Sequence, residues 1–404
     1  MRKIILFTAT PLLLLAQTAA QMTEQGLALQ RQGDFKSSLP LFRNAAALHE
    51  NNPGAPAEAL PDCLNNLAIG YVGLSDWKQA EVTFLRAAAL FDERFGVNDV
   101  RVAPTLENLA LIHIELGRLA DADSLLQRSL ELYKKHLPAD SRHFIMYYQS
   151  RGRLELARGN YVESANFLEK ARALGKKKFG PNHPLLGRTL SLLAQARIGQ
   201  GNYARAESHW REAIAIGETN HDPITLIIRL ERAQFLMERR NWDAAVQLLE
   251  TDREEISKRF GATHTTYALA LCAFGRARTG QGRWEEAKAL LSESLALYQA
   301  NTGLYSDQVA IVNYDLGLLH MEWKRPKDAR PYFELAIAAG EKALGPNHAS
   351  LADYLFAYSE SLRVTGKRKE AAVARRRGEA IRAETGVPAG SPHIIDVRSL
   401  TRRR

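Results

Sequence analysis

The chain repeats itself every 42 residues, and this period limits what it can fold into more than any local signal does. A turn residue followed two positions later by an often aromatic one recurs at Gly33, Ser75, Gly117, Gly159, Gly201, Arg240, Gly282, Lys324 and Gly366. Every step between these markers is 42 residues except the 39 from Gly201 to Arg240, so there are nine units. Seven residues before each marker the side chain is small: Gly26, Ala68, Ala110, Gly152, Ala194, Ala233, Gly275, Gly317 and Ser359. Five residues after it the residue is Ser or Ala in every unit, from Ser38 and Ala80 to Ala329 and Ala371. Twelve after it the small residue returns, as at Ala45, Ala87, Ser129, Ala171 and Ala213, and only Asp252 breaks the rule. Helices whose backbones cross closely need such positions.

Between the markers apolar residues follow helical spacing, as in Leu64, Leu67, Ala68, Tyr71 and Leu74, then Ala80, Phe84, Leu85, Ala88 and Phe91. Each unit therefore reads as helix, tight turn, helix. One such hairpin cannot bury its own apolar face, so neighbours must stack. The expected fold is an all-α solenoid of nine antiparallel helix-turn-helix hairpins over residues 21–386.

Eighteen residues before seven of the markers stand Asp99, Ser141, His183, Asp222, His264, Ser306 and His348. Asp and Ser there are natural N-caps, and Pro184 and Pro223 suit the first helical position. His183, His264 and His348 read as helix-start residues rather than metal ligands, since they occupy equivalent loops of separated units. The three residues missing from the 39-residue step fall near Gly217, Glu218, Thr219 and Asn220, which predicts a shortened second helix in unit five and a local change of pitch.

These phases resemble the tetratricopeptide repeat, and the 42-residue unit is similar to its kinesin light chain class. The matching stretches are Phe179-Gly180-Pro181-Asn182-His183-Pro184 and Leu344-Gly345-Pro346-Asn347-His348 between units. In first helices they are Leu64-Asn65-Asn66-Leu67-Ala68 and Leu106-Glu107-Asn108-Leu109-Ala110. The resemblance implies a right-handed superhelix whose first helices line a concave groove for extended or helical peptides. It does not assign a function, because such repeats serve many roles. The motor association does not carry over, for the chain has no long heptad region.

Met1, Arg2 and Lys3 precede an apolar run from Ile4 to Ala16, and Thr18, Ala19, Ala20 and Gln21 suit cleavage after Ala20. This layout predicts a signal peptide at 1–20 and a secreted or periplasmic protein, with an uncleaved membrane anchor as the alternative. Cys63 and Cys272 are too few and too far apart for a disulfide framework. The net charge of +9 is concentrated at one end: residues 363–404 hold twelve Lys or Arg against four acids, ending in a basic tail at 387–404. A solvated cap with a mobile tail is the favoured reading there. Of its functional alternatives, contact with a membrane surface is preferred to nucleic acid, which an exported protein seldom meets.

First-helix positions outside the packing phases should face the groove. They give Asn65, Asn66, Glu107, Asn108, Gln149, Arg153, Arg188, Gln195, Gln234, Arg276, Tyr314 and Asp315 as candidate partner-binding residues. Amides can pair with a peptide backbone, and Arg153, Arg188 and Arg276 could hold a carboxylate. Taken singly, each reads more readily as a solvated polar residue on an exposed helix face, and it is the collective pattern that points to a groove. The periodic aromatics Phe35, Trp77, Tyr161, Tyr203, Trp242 and Trp284 suit hairpin packing, whereas Trp210 and Trp323 fall outside that phase and are expected to be more exposed. No nucleophile turn, phosphate loop, dinucleotide turn or metal-ligand spacing occurs, so neither catalysis nor a cofactor is expected. The leading expectation is an exported adaptor for a protein or peptide. A membrane-surface assembly component acting through the basic end is the alternative, and a hydrolase with an unrecognised groove site is the weakest.

Overall fold

The computed structural model describes residues 11–385 apart from Pro223, with side chains from Thr18 onward. The first ten residues of the expected signal, the tail at 387–404 and the expected helix-start role of Pro223 lie outside the described residues. The fold is all-α. Nine hairpins follow one another: α1 (Pro11–Gln32) and α2 (Phe35–Glu50), α3 (Ala59–Gly73) and α4 (Trp77–Phe95), α5 (Ala103–Glu115) and α6 (Leu119–His136), α7 (Arg142–Ala157) and α8 (Tyr161–Phe179), and α9 (Pro184–Gly199) and α10 (Tyr203–Thr219). They continue with α11 (Ile224–Glu238) and α12 (Trp242–Phe260), α13 (Thr265–Gly280) and α14 (Trp284–Thr302), α15 (Asp307–Glu322) and α16 (Pro326–Leu344), and α17 (Ala349–Val364) and α18 (Arg368–Thr385).

The marker recurs because the chain reverses there through a positive φ. Six markers are Gly, and Ser75, Arg240 and Lys324 adopt φ 56°, 56° and 61°. The residue after the marker caps the second helix in several units: Asp34 accepts from the Ser37 amide and Asp76 from the Gln79 amide. The small residue seven before the marker has an equally direct cause. Nine after the marker stand Phe42, Phe84, Leu126, Leu168, Trp210, Leu249, Leu291 and Phe333, all fully buried. In several units this side chain presses on the small position: a Cβ on Gly152 would lie 2.6 Å from Leu168 Cγ, and one on Gly275 would lie 2.6 Å from Leu291 Cγ. Trp210 belongs to this row, which corrects the expectation that it is exposed. Trp323 is half-buried and stacks on Trp284. The aromatics after the turn act between units rather than within a hairpin. Phe35, Tyr161 and Trp242 lie against Gly73, Gly199 and Gly280 at the end of the next unit's first helix, where no Cβ would fit.

His183, His264 and His348 cap their helices, each ring Nδ1 accepting an amide, those of Leu185, Thr266 and Ser350. The second helix of unit five is shortened as the 39-residue step implies, α10 having 17 residues against 19 in α8 and α12. Where α4, α8, α12, α14 and α16 end on a positive-φ Gly, α10 ends on Asn220, and His221 takes φ 50°. Along the array the apolar interior is divided into clusters, one of which spans this turn from α10 to α11. One cluster serves units one to four and another units seven to nine, with two smaller clusters between them.

Successive first helices pack on one another more closely than successive second helices do, so the array curves with first helices inside. It curves far enough to meet itself. The turns of units one to three sit on the helix starts of units seven to nine, six repeats later. The His264 ring lies against the Gly33 turn, Gln308 Nε2 donates to Ser75 Oγ, and His348 Nε2 donates to the Glu115 carbonyl at 2.7 Å. Lys36 Nζ adds a bond to the Ala300 carbonyl at 3.2 Å.

At the N-terminus α1 runs through the expected cleavage point, and Ala19 is 1% exposed within the first core cluster. No helix among the described residues is long and apolar enough to cross a membrane.

Candidate partner-binding face

The inner face is polar, but it is not a row of free side chains. Of the twelve candidates, Asn66, Glu107, Asn108, Gln149, Arg153, Arg188 and Asp315 are buried, and Asn65, Gln195, Gln234, Arg276 and Tyr314 are half-buried. The reading of these positions as solvated surface fails. They are shielded because each first helix lies against the next, and the polar atoms pair one repeat apart. Asn108 Nδ2 donates to Asn65 Oδ1 at 3.3 Å, Gln149 Nε2 to Thr189 Oγ1 at 2.7 Å, and Ser191 Oγ to Glu231. Gln30 Nε2 donates to the Asn66 carbonyl at 2.9 Å. Such pairing is what burial of polar groups demands.

The arginines expected to hold a partner's carboxylate face the chain's own acids. Arg153 lies 3.7 Å from Glu115, and Arg276 Nε donates to Asp315 Oδ2 at 2.6 Å while its Nη1 reaches Gln234 Oε1 at 3.2 Å. Burial pushes the Glu115 carboxyl up to about 7, against the opposing pull of Arg153 and Arg188 and with Asp307 adding to the rise. Asp315 is likewise raised by burial, with Arg276 opposing. The Cys272 thiol donates to Asp315 at 3.2 Å, and burial holds it well above its ordinary range, which makes it a poor nucleophile. Glu107 receives hydroxyls from Tyr133 at 2.5 Å, Ser129 at 3.4 Å and Ser150 at 3.3 Å. Tyr314 packs between Phe333 and Tyr354. Among the described residues no group of three His, Cys, Asp or Glu could hold a metal ion.

The face opens at its helix-start edge. A pocket of about 530 Å³ lies at the helix-start edge of units three to six, between the starts of α5, α7 and α9 and the Asn220–Asp222 turn after the shortened α10. Arg142, His143 and Met146 from α7 line it with Phe179, whose ring stacks on His183 at 4.5 Å. Cationic, aromatic and thioether groups beside Glu107 and Asp222 offer contacts of several kinds to one peptide side chain or terminus. Of the sequence candidates only Glu107 lies on this pocket. The groove phases miss the others because they sit at helix starts. The signal pointing to them was the 39-residue step, whose missing residues would have stood where the pocket opens.

The tetratricopeptide repeat pattern matches residues 17–93, 64–135, 143–219 and 225–300, and a second pattern of the same description matches 191–252 and 272–343. The chain belongs to the tetratricopeptide repeat family. No curated protein sequence matches it. Among solved structures it is similar to aspartyl phosphate phosphatase F from Bacillus subtilis, with 12% identity, 96% of this chain and 98% of that chain covered, and a TM-score of 0.53. A Rap protein complexed with competence and sporulation factor has 10% identity, 92% and 99% coverage and a TM-score of 0.54. BtubC from P. vanneervenii has 22% identity over 58% of this chain and 95% of that one, with a TM-score of 0.46. At these identities the likeness is one of fold, and the fold is that of a protein interaction scaffold.

Proposed function

We propose that this chain is an exported, non-catalytic adaptor that holds a protein or peptide partner at the helix-start end of its first-helix face. The observation that carries the reading is the pocket: four successive units contribute to it, and many inner-face polar groups elsewhere are already paired within the chain. A partner therefore gains most where paired groups give way to an opening. A similar array solved with competence and sporulation factor supports the idea that this fold can carry a partner. Export is supported by the basic, apolar and small-residue order of residues 1–21.

A photo-reactive benzoylphenylalanine in place of Phe179, which is 38% exposed, tests this in envelope extract. A light-dependent adduct with one or a few proteins is expected, and Arg142→Glu with Met146→Asp should abolish it. An adduct indifferent to those changes, or none at all, would sink the reading. A second reading has its own observation: α18 exposes Arg368, Arg375 and Arg376. If the protein instead works at a membrane surface through its basic end, removing residues 363–404 should abolish binding to anionic vesicles and leave the adduct unchanged.

A further inference from the structure

Among the described residues the contacts between superhelical turns join units one to three to units seven to nine, and nothing in the packing of a hairpin array requires them. One of their residues departs from the repeat where it touches. Ser75 occupies a marker position that is Gly in six units, and it holds φ 56°, a conformation costly for a residue with a Cβ. Its hydroxyl accepts from Gln308 Nε2 and also bonds to the half-buried Asp307 at the start of α15. His348 uses both ring nitrogens: Nδ1 caps α17, so the proton is on Nε2, which donates to Glu115. Glu115 thus gives its carbonyl to the seam and its carboxylate to Arg153 on the inner face.

The repeat is also irregular between the two halves that touch. At the junction of units five and six α10 is short, and in the following α12 the small residue of the repeat is replaced by Asp252. Arg229 of α11 bonds Asp252 Oδ1 at 3.2 Å and Glu255 at 2.7 Å, and also pairs with Glu218 of α10. Close apolar packing is rigid, whereas a cluster of long side chains sharing one guanidinium can rearrange with small loss.

We propose that the array is a hinged clamp: units one to three and seven to nine are jaws latched by their turn-to-start contacts, the junction of units five and six is the hinge, and a partner reaches the inner face through the opened seam. The final clause rests on the adaptor reading above. The clamp itself does not.

Cysteines placed at Lys36 and Ala300, both exposed, and labelled with pyrene maleimide report the seam directly, since the native Cys63 and Cys272 are buried. The latched chain should show strong excimer emission. Adding Ser75→Gly and Gln308→Ala should lower it by at least about threefold, a modest shift of a two-state equilibrium, with far-ultraviolet circular dichroism unchanged. Ser75→Gly relieves a strained turn, so the array itself should melt no earlier. Emission that survives the two substitutions, or that falls only together with helicity, would overturn the clamp. Bridging the same two cysteines with a short bis-maleimide should suppress the photo-adduct at position 179 about tenfold or more. An adduct as strong as in the unbridged chain would overturn entry through the seam. If no form gives an adduct while the emission behaves as stated, the adaptor reading fails and the clamp stands.

Discussion

Units three and six each bury an acid between their two helices, and they do it in opposite ways. In unit three the acid is on the first helix: Glu107 of α5 takes hydroxyls from Ser129 and Tyr133 of α6 and from Ser150 of α7. Ser129 stands at the twelfth position after the marker, where small residues let the helices close up. In unit six that position is Asp252, fully buried, and the first helix answers with Arg229. Hydroxyls satisfy a carboxylate without adding volume or a second charge. An arginine adds both, and here it must also serve Glu218 and Glu255. The difference teaches that this repeat tolerates a buried charge where its partners are small, and gives up close packing where they are not.

The sharpest way to break unit six is Arg229→Met, which strands Asp252 against an apolar wall. Removing one member of a buried pair costs about 3–5 kcal/mol, and urea unfolding at pH 8 should show a loss of that size. Hydrogen exchange in α11 and α12 should accelerate before that of α3 to α6. Uniform acceleration along the chain would show that units three and six do not differ in local stability. The matching insult to the regular arm is Gly152→Val, which drives a branched side chain into Leu168. Overpacking of this kind costs about 1–3 kcal/mol, so a smaller shift in the same unfolding curve is expected.

The fold was legible because its determinants are local and repeated. A positive-φ marker, a small residue seven before it and an N-cap before each first helix each appear up to nine times, so chance agreement is excluded by repetition rather than by any one residue. The buried row of Phe42, Phe84, Trp210 and Phe333 was equally periodic, yet Trp210 read as exposed because its phase was compared only with the aromatics after the turn. The inner face was located correctly in phase but not in state. Whether Gln149 is free or bonded to Thr189 depends on the crossing distance of neighbouring first helices, which no single helix pattern contains. The seam was illegible for a stronger reason: Ser75 and Gln308 meet only because small rotations summed over six units bring the curve round. The pocket lay between these extremes, announced by three missing residues whose consequence only the assembled curve reveals.

Giving unit six the serine of unit three is the subtlest test of the comparison. Burial raises the Asp252 carboxyl to about 7, with Arg229 opposing, and its Oδ2 has no hydrogen-bond partner among the described residues. The ordinary value is 3.8, so between the two values the folded chain holds a proton that the unfolded chain has released. Stability from this group is therefore fully present only below its ordinary value of 3.8 and is lost progressively as pH rises to about 7. Asp252→Ser removes the titrating group but leaves Arg229 its bonds to Glu218 and Glu255. At pH 5 the variant should melt within about 2 °C of the parent, because each loses or keeps one neutral hydrogen-bonding group. At pH 8 it should melt higher, by about 1 °C for each roughly 1 kcal/mol relieved in a chain of this size. A variant that is less stable at pH 8 than at pH 5, relative to the parent, would mean that Asp252 is ionised and held by Arg229 as comfortably as Glu107 is held by its hydroxyls. Unit six would then be as well packed as unit three, and the contrast between them would vanish.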